Sequence, residues 1–146
     1  MALPNTSYSE YDDELEAITA VEDDQVYQPS LTWHLDRETH RIRGQIDGLD
    51  TLEQAVWMVL STELGRYMIY DDTFGVELED LVGMDLDYAR VESEARIREA
   101  ILQDERFEEV DNFEYEKADR NSWKVSFDVH TSTGFVIQYE GVTVNV

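Results

Sequence analysis

The sequence of 146 residues contains no cysteine, and this absence removes several kinds of site at once. Without thiols the chain can form neither a disulfide framework nor a thiolate zinc site, and it has no cysteine nucleophile. No apolar run approaches the ~20 residues that a membrane-spanning helix needs, and the N-terminal residues lack the basic flank and apolar centre of a signal peptide. We therefore expect a soluble, intracellular protein with no membrane partner.

Positive charge is also scarce, because 11 basic residues stand against 34 acidic ones and give a formal net charge of −23. A phosphate backbone would repel such a chain, so we expect no nucleic-acid partner. The acids are spread over every segment, and salt screens the repulsion among them. We hypothesise a salt-rich host, in which case the melting temperature should rise between low and molar KCl.

Motifs for catalysis and cofactor binding are missing as well. The three histidines stand in no metal-ligand spacing, and the sequence contains no P-loop, no GxSxG and no GxGxxG. Two acids about 5 to 10 Å apart across a cleft would suffice for a glycan-cleaving enzyme, and Glu63 with Asp71 or Asp72 is the pair to test. Among 34 acids, however, a suitable pair arises by chance. We expect no catalytic residue, no cofactor and no metal.

Residues 1–30 form an acidic N-terminal segment with eight Asp or Glu residues and no Lys or Arg. Low apolar content and charge of one sign predict a flexible segment that is disordered alone and ordered only by a partner. A tail without function is the simpler interpretation of the same pattern. An acidic assembly chaperone, binding a basic partner through residues 10–24, is a third functional hypothesis.

Residues 31–146 predict a single domain of the α+β class that begins with a β-hairpin. Leu31, Trp33 and Leu35 alternate with polar residues, which is typical of a half-buried strand, and residues 41–46 can return as its partner. A helix should follow, with Asp50 and Glu53 forming a capping box at its start.

A second helix is predicted over residues 88–103, capped by Asp85 or Asp87. Its apolar residues at intervals of three, four and seven form one stripe, and Ile97 and Ile101 lie to one side of it as a second apolar row. The members of that stripe are Tyr88, Val91, Ala95 and Leu102. Glu94 and Arg98, four apart, are expected to form an intrahelical pair.

After Arg106 the apolar period returns to two, which predicts a C-terminal antiparallel meander of three strands. The last strand carries almost no charge after Glu140, so its edge would invite pairing with another chain. We therefore predict an exposed docking edge. The partner-binding residues are Val142, Thr143, Val144, Asn145 and Val146.

Two runs in the sequence suggest a family. IDGLDTLEQA at residues 46–55 and FGVELEDLVG at residues 74–83 resemble the baseplate wedge and sheath-initiator proteins of contractile phage tails and related injection systems. The likeness covers about residues 28–142. The family has a Glu-Pro-Arg signature where this chain has Asp104, Glu105 and Arg106, so only the arginine is kept. The resemblance implies packing in the baseplate by Tyr70, Phe74, Gly75, Asp104 and Arg106.

The resemblance also implies a structural, non-catalytic role. A protein of this kind would belong to the virion, in the tail baseplate, and would be assembled in the host cytoplasm. Its implied partners are the tail sheath protein, the baseplate wedge proteins and the tail tube, with multiple copies arranged in a ring. It would join wedge and tube to the first sheath ring, and the predicted edge strand suits the templating of sheath assembly by strand addition.

Overall fold

The computed structural model describes residues 30–145, so the predictions for residues 1–29 and for Val146 fall outside it. The α+β prediction is confirmed: a hairpin is followed by two helices and a three-stranded antiparallel meander. In chain order the elements are β1 (Thr32–Asp36), β2 (Arg41–Ile46), α1 (Leu49–Leu60), a 3₁₀ turn (Glu79–Leu81), α2 (Leu86–Leu102), β3 (Phe107–Asp119), β4 (Ser122–Thr131) and β5 (Val136–Asn145).

The β1–β2 hairpin forms as predicted, but of the three apolar residues expected on its half-buried face only Leu35 is half-buried. Trp33 is 61% exposed, and Leu31 is exposed to the same degree. The hairpin is hydrogen-bonded to α1 through Gln54, whose side-chain amide donates to the Trp33 carbonyl at 2.9 Å and accepts from the Leu35 N–H at 2.8 Å. The guanidinium group of Arg37 also lies over the Trp57 ring of α1, 5.1 Å from its centroid. A buried glutamine therefore takes the place of a neighbouring strand, and most of the hairpin surface stays in solvent.

Helix α1 begins one residue earlier than predicted, and the capping box at Asp50 and Glu53 does not form. The N-cap is Gly48, which has a φ of 63° and offers no side chain to the helix. Asp47 instead accepts hydrogen bonds from the Gly48 N–H and the Ser30 hydroxyl. Because the helix begins directly after Gly48, Asp50 lies in its first turn. There its negative charge interacts favourably with the positive end of the helix dipole.

Helix α2 is capped by Asp85, as predicted, through hydrogen bonds from the N–H groups of Asp87 and Tyr88. Glu94 and Arg98 form the expected pair at 2.9 Å. Of the two predicted apolar rows, the stripe of Tyr88, Val91, Ala95 and Leu102 does not pack on the core. Val91 is 69% exposed and Tyr88 is 52% exposed, and Ala95 and Leu102 are exposed as well.

The face of α2 that does pack on the core lies on the opposite side of the helix. It consists of Ala89, Ser93, Ile97, Ala100 and Ile101. The small side chains allow a close approach to β3, where the Ser93 and Tyr115 hydroxyls lie 3.3 Å apart. Helix α2 thus has two apolar faces, and the part of the chain that the structure describes covers only one of them.

The meander has the strand order β3-β4-β5, and its inner face completes the core. Phe113, Phe127 and Tyr139 stack across the three strands, with ring centroids 5.1 and 5.6 Å apart. Strand β3 has 13 residues, because pairing with β4 continues from Phe107 to Asp119. The sheet therefore has two long edges, the outer side of β3 and the outer side of β5.

Candidate functional site

The connection between α1 and α2 forms a closed loop, whose two ends are hydrogen-bonded to each other beside Gly75. The Val76 N–H donates to the Thr62 carbonyl at 2.9 Å, the Leu64 N–H donates to the Val76 carbonyl at 3.3 Å, and Glu63 and Val76 form a short parallel bridge. Gly75 has a φ of 118°, and a Cβ added there would lie 2.6 Å from the Thr62 oxygen. Only glycine fits between these two backbone segments.

Aromatic side chains order the loop that this closure creates. Tyr70 and Phe74 stack with ring centroids 4.5 Å apart, and Tyr67 meets Tyr70 edge-on at 6.4 Å. Phe74 is half-buried and packs against the core, while Tyr70 covers it from the solvent side. The loop tip, Met68 and Ile69, is fully open to solvent. The aromatic side chains thus pack the base of the loop against the core and leave its apolar tip exposed.

The turn from α2 to β3 is fixed by a bidentate ion pair. Arg106 Nε lies 2.9 and 3.1 Å from the two carboxylate oxygens of Asp104, and Nη2 lies 2.5 Å from Oδ2. Burial opposes ionisation of Asp104, but hydrogen bonds and charge from Arg106 outweigh it and hold the pKa of Asp104 below its usual value. The Arg106 carbonyl accepts from the Ser132 N–H at 2.9 Å, which ties the corner to the β4–β5 turn.

Three of the five predicted packing residues meet at one groove. Phe74, Asp104 and Arg106 line a groove of about 300 Å³ together with one side of α1 and the start of the hairpin. Tyr70 stands outside it, stacked on Phe74. Gly75 faces Thr62 instead and acts through the backbone closure. The structure thus brings Phe74, Asp104 and Arg106 to one corner and gives Gly75 a separate structural role.

The β5 edge presents two different rows of side chains. Val144 is 2% exposed and packs in the core opposite Trp123, and Val142 is half-buried on the same face. Thr143 and Asn145 are exposed on the other face. Among residues 30–145, only β4 pairs with β5, so the outer side of β5 carries no strand.

Charge distinguishes the two edges of the sheet. Seven of the thirteen residues of β3 are charged, against one of ten, Glu140, in β5. Charged side chains are a common protection of edge strands against pairing with another chain. The outer side of β5 therefore lacks a protection that the outer side of β3 has.

Comparison with known proteins identifies the family. The model of the contractile injection system sheath initiator family matches residues 31–134, which is most of the chain. The chain belongs to the sheath initiator family. It is also 36% identical over 115 residues to the phage-like element PBSX protein XkdS of Bacillus subtilis (strain 168), which covers 75% of this chain and 80% of that protein. The predicted family is thereby confirmed, and with it a structural role in a contractile tail.

Other classes of site gain no support from the part of this sheath initiator that the structure describes. Residues 30–145 contain no group of three or more histidine, aspartate or glutamate side chains placed to hold a metal ion. Neither α1 nor α2 is long and apolar enough to cross a membrane.

Glu63, the proposed catalytic acid of the alternative hypothesis, has a structural position in this sheath initiator. One of its carboxylate oxygens accepts the N–H groups of Leu78 and Glu79 at 3.1 and 3.2 Å, which caps the 3₁₀ turn. Asp72 lines a separate groove beside Arg96 and Gln103, to which Glu63 does not contribute. The two carboxylates therefore do not face each other across a common cleft.

Arg96 is a structural residue that sequence reasoning missed. It bonds Glu92 at 3.0 Å within α2, donates to the Glu77 carbonyl at 2.9 Å and pairs with the Asp80 carboxylate. The hydrogen bond that Arg96 donates to Asp80 raises the pKa of Arg96 further above its ordinary value, so the residue stays charged. The sequence could have predicted only the pair with Glu92, from its spacing of four residues. The other partners lie 16 and 19 residues away.

Replacing Arg106 by glutamine should lower the free energy of unfolding at neutral pH by about 1 kcal/mol, since a partly buried bidentate pair is lost. The pKa of Asp104 is lowered in the folded state, so its contribution is complete above the ordinary value of 3.8 and is lost as the pH falls through the folded value. Urea unfolding at pH 7 and near pH 2 should show the difference between variant and wild type shrinking in acid. If the difference in unfolding free energy between variant and wild type were the same at both pH values, a stabilising ion pair between Asp104 and Arg106 would be contradicted.

Proposed function

We propose that this sheath initiator begins sheath assembly by offering the outer side of β5 to a strand of the tail sheath protein. The observation that carries the proposal is a sheet edge that bears one charge in ten residues and no pairing strand among the described residues. Strand addition uses unpaired main-chain groups of this kind for affinity, while alternating side chains fix the register. The sheath strand would extend the sheet from three strands to four.

The side chains of β5 define what the incoming strand must carry. Val142 is only half-buried, and among the described residues no strand lies beside it on the outer side. A neighbouring strand with apolar residues in the same phase would cover Val142 and continue the inner face that Val144 begins. Thr143 and Asn145 would face solvent and accept polar neighbours. The partner strand should therefore alternate apolar and polar residues.

The helical part of the molecule would hold the protein in the baseplate. The uncovered apolar face of α2, with Tyr88 and Val91, and the loop tip at Met68 and Ile69 are exposed large apolar groups of the kind that mark protein interfaces. We propose that these surfaces contact wedge proteins and the tail tube, with the corner of Tyr70, Phe74, Asp104 and Arg106 packed in the baseplate. The protein would then stand in a ring of copies within the virion, between wedge and first sheath ring.

A lysine at position 142 tests strand addition while leaving the free protein folded. In the free protein the ammonium group of Val142→Lys can reach water past the open edge of β5, whereas an added strand would bury it. Burying an ion costs several kcal/mol, so the affinity for the sheath protein should fall by at least about a hundredfold. The measurement is binding of the purified sheath protein, with thermal melting as a check on folding.

Thr143→Lys is the matched control, since it adds the same charge at the next residue on the exposed face. It should bind the sheath protein with an affinity within a few-fold of wild type. If Val142→Lys binds as tightly as Thr143→Lys, the sheath strand does not lie beside β5 and the proposal is wrong.

A further inference from the structure

The β1–β2 hairpin carries a net positive charge in an acidic protein. Residues 32–46 contain three arginines and two acids, a net charge of +1 in a chain whose total is −23. Strand β2 begins Arg41-Ile42-Arg43, and all three side chains are exposed, Ile42 by 69%. The family match gives this surface no partner.

The register of the hairpin places these side chains on two faces. Ile42 lies opposite Leu35 and so shares its face, while Arg41 and Arg43 project from the other, with Arg43 Nε 4.0 Å from Asp36. The outer side of β1 is occupied at two main-chain groups by Gln54. Within residues 30–145, no strand pairs with the outer side of β2. An unpaired edge therefore carries the alternation basic, apolar, basic.

The N-terminal segment contains the complementary alternation twice. Glu10-Tyr11-Asp12 and Glu14-Leu15-Glu16 both follow the order acidic, apolar, acidic, and residues 1–29 include no basic residue. A triplet that is symmetric in this way matches Arg41-Ile42-Arg43 in either strand direction. Opposite charges and apolar pairs at facing positions each stabilise strand pairing.

The segment is also tethered within reach of this edge. Thirteen residues separate Glu16 from Ser30, which directly precedes the hairpin. Extended, they span up to ~43 Å, whereas a six-residue strand such as β2 is about 20 Å long. Attachment to the same chain makes the pairing intramolecular, which raises the effective concentration of the segment into the mM range.

We propose that residues 10–16 of the same chain add to the outer side of β2 as a third strand. Carboxylates of one acidic triplet would lie beside Arg41 and Arg43, and Leu15 or Tyr11 would cover Ile42. Two-stranded hairpins are marginally stable in water, so a third strand would stabilise an element that is held to α1 by the Gln54 hydrogen bonds and the contact of Arg37 with Trp57.

Hydrogen exchange of the β2 amides in the full-length protein tests this pairing. Removing the four charges with Glu10→Gln, Asp12→Asn, Glu14→Gln and Glu16→Gln should speed exchange of the outward-facing amides of residues 41–46 about tenfold, as expected when several surface ion pairs are lost. The control Glu22→Gln, Asp23→Asn and Asp24→Asn removes neighbouring charges outside the triplets and should leave that exchange unchanged.

Charge reversal tests whether the acidic residues pair specifically with Arg41 and Arg43. Arg41→Glu with Arg43→Glu should speed exchange of β2 to a similar extent, and adding Glu14→Arg with Glu16→Arg should restore the protection. Equal exchange rates in wild type and all variants would overturn the proposal. Protection that rises with protein concentration would overturn it too, because the occupant would then be the segment of a second copy.

Discussion

Replacing Gly75 by alanine is expected to lower the free energy of unfolding by about 3 kcal/mol or more. The φ of 118° is one that residues with a side chain adopt only with a strain of about 1 to 3 kcal/mol. The new Cβ would also lie 2.6 Å from the Thr62 carbonyl oxygen, which is a backbone atom and already accepts the Val76 N–H. Relief of the clash would require that closure to open.

Gly65→Ala is the matched control for this result. Gly65 also has a positive φ, 71°, but a Cβ there would meet no atom within 4 Å. It should therefore cost only about 1 to 2 kcal/mol, the ordinary penalty for a left-handed conformation. Both alanines bear the cost of a positive φ, but only Gly75→Ala adds a steric clash, so urea unfolding of the two variants distinguishes the two costs. Equal losses for the two alanines would show that the loop closure at Gly75 is not rigid.

Truncating Ile97 to alanine is the second change with a large expected effect. Ile97 is 0% exposed and lies in the core cluster that joins α2 to the meander. Removing a buried side chain of this size leaves a cavity as well as losing burial, so the protein should lose about 2 to 5 kcal/mol of stability. Thermal or urea unfolding measures it.

Val91→Ala on the opposite face of α2 is the control, because Val91 is 69% exposed. Its effect on the free protein should lie within about 0.5 kcal/mol of zero. Together the two substitutions measure which apolar face of α2 the fold uses. If Val91→Ala destabilises the protein as much as Ile97→Ala, the orientation of α2 described here is wrong.

Helix α2 also shows where sequence reasoning stopped. Its existence, its Asp85 cap and the pair of Glu94 with Arg98 all followed from local spacing. Its orientation did not, because both faces carry apolar residues and periodicity gives no way to choose between them. The buried face includes Ala89 and Ser93, whose small side chains permit α2 to pack closely on β3. This packing depends on the position of β3, which local spacing in α2 does not reveal.

Long-range hydrogen bonds account for the other differences. Gln54 holds the hairpin across about twenty residues of chain, and nothing in the spacing of residues 31–36 revealed that Trp33 would stay exposed. By contrast, the sheet edge was predictable, because alternation identifies the strands and scarcity of charge distinguishes β5 from β3. The Asp104–Arg106 pair was also predictable in part, since its partners are only two residues apart.

A reconstruction of the assembled baseplate, at a resolution that separates neighbouring strands, tests the central claim most directly. Strand addition predicts a sheath strand about 4.8 Å from the outer side of β5, hydrogen-bonded along residues 142–145, which would make the meander four-stranded. If the outer side of β5 faces solvent in the assembled tail, or contacts the sheath only through side chains, the proposed mechanism of sheath initiation is contradicted.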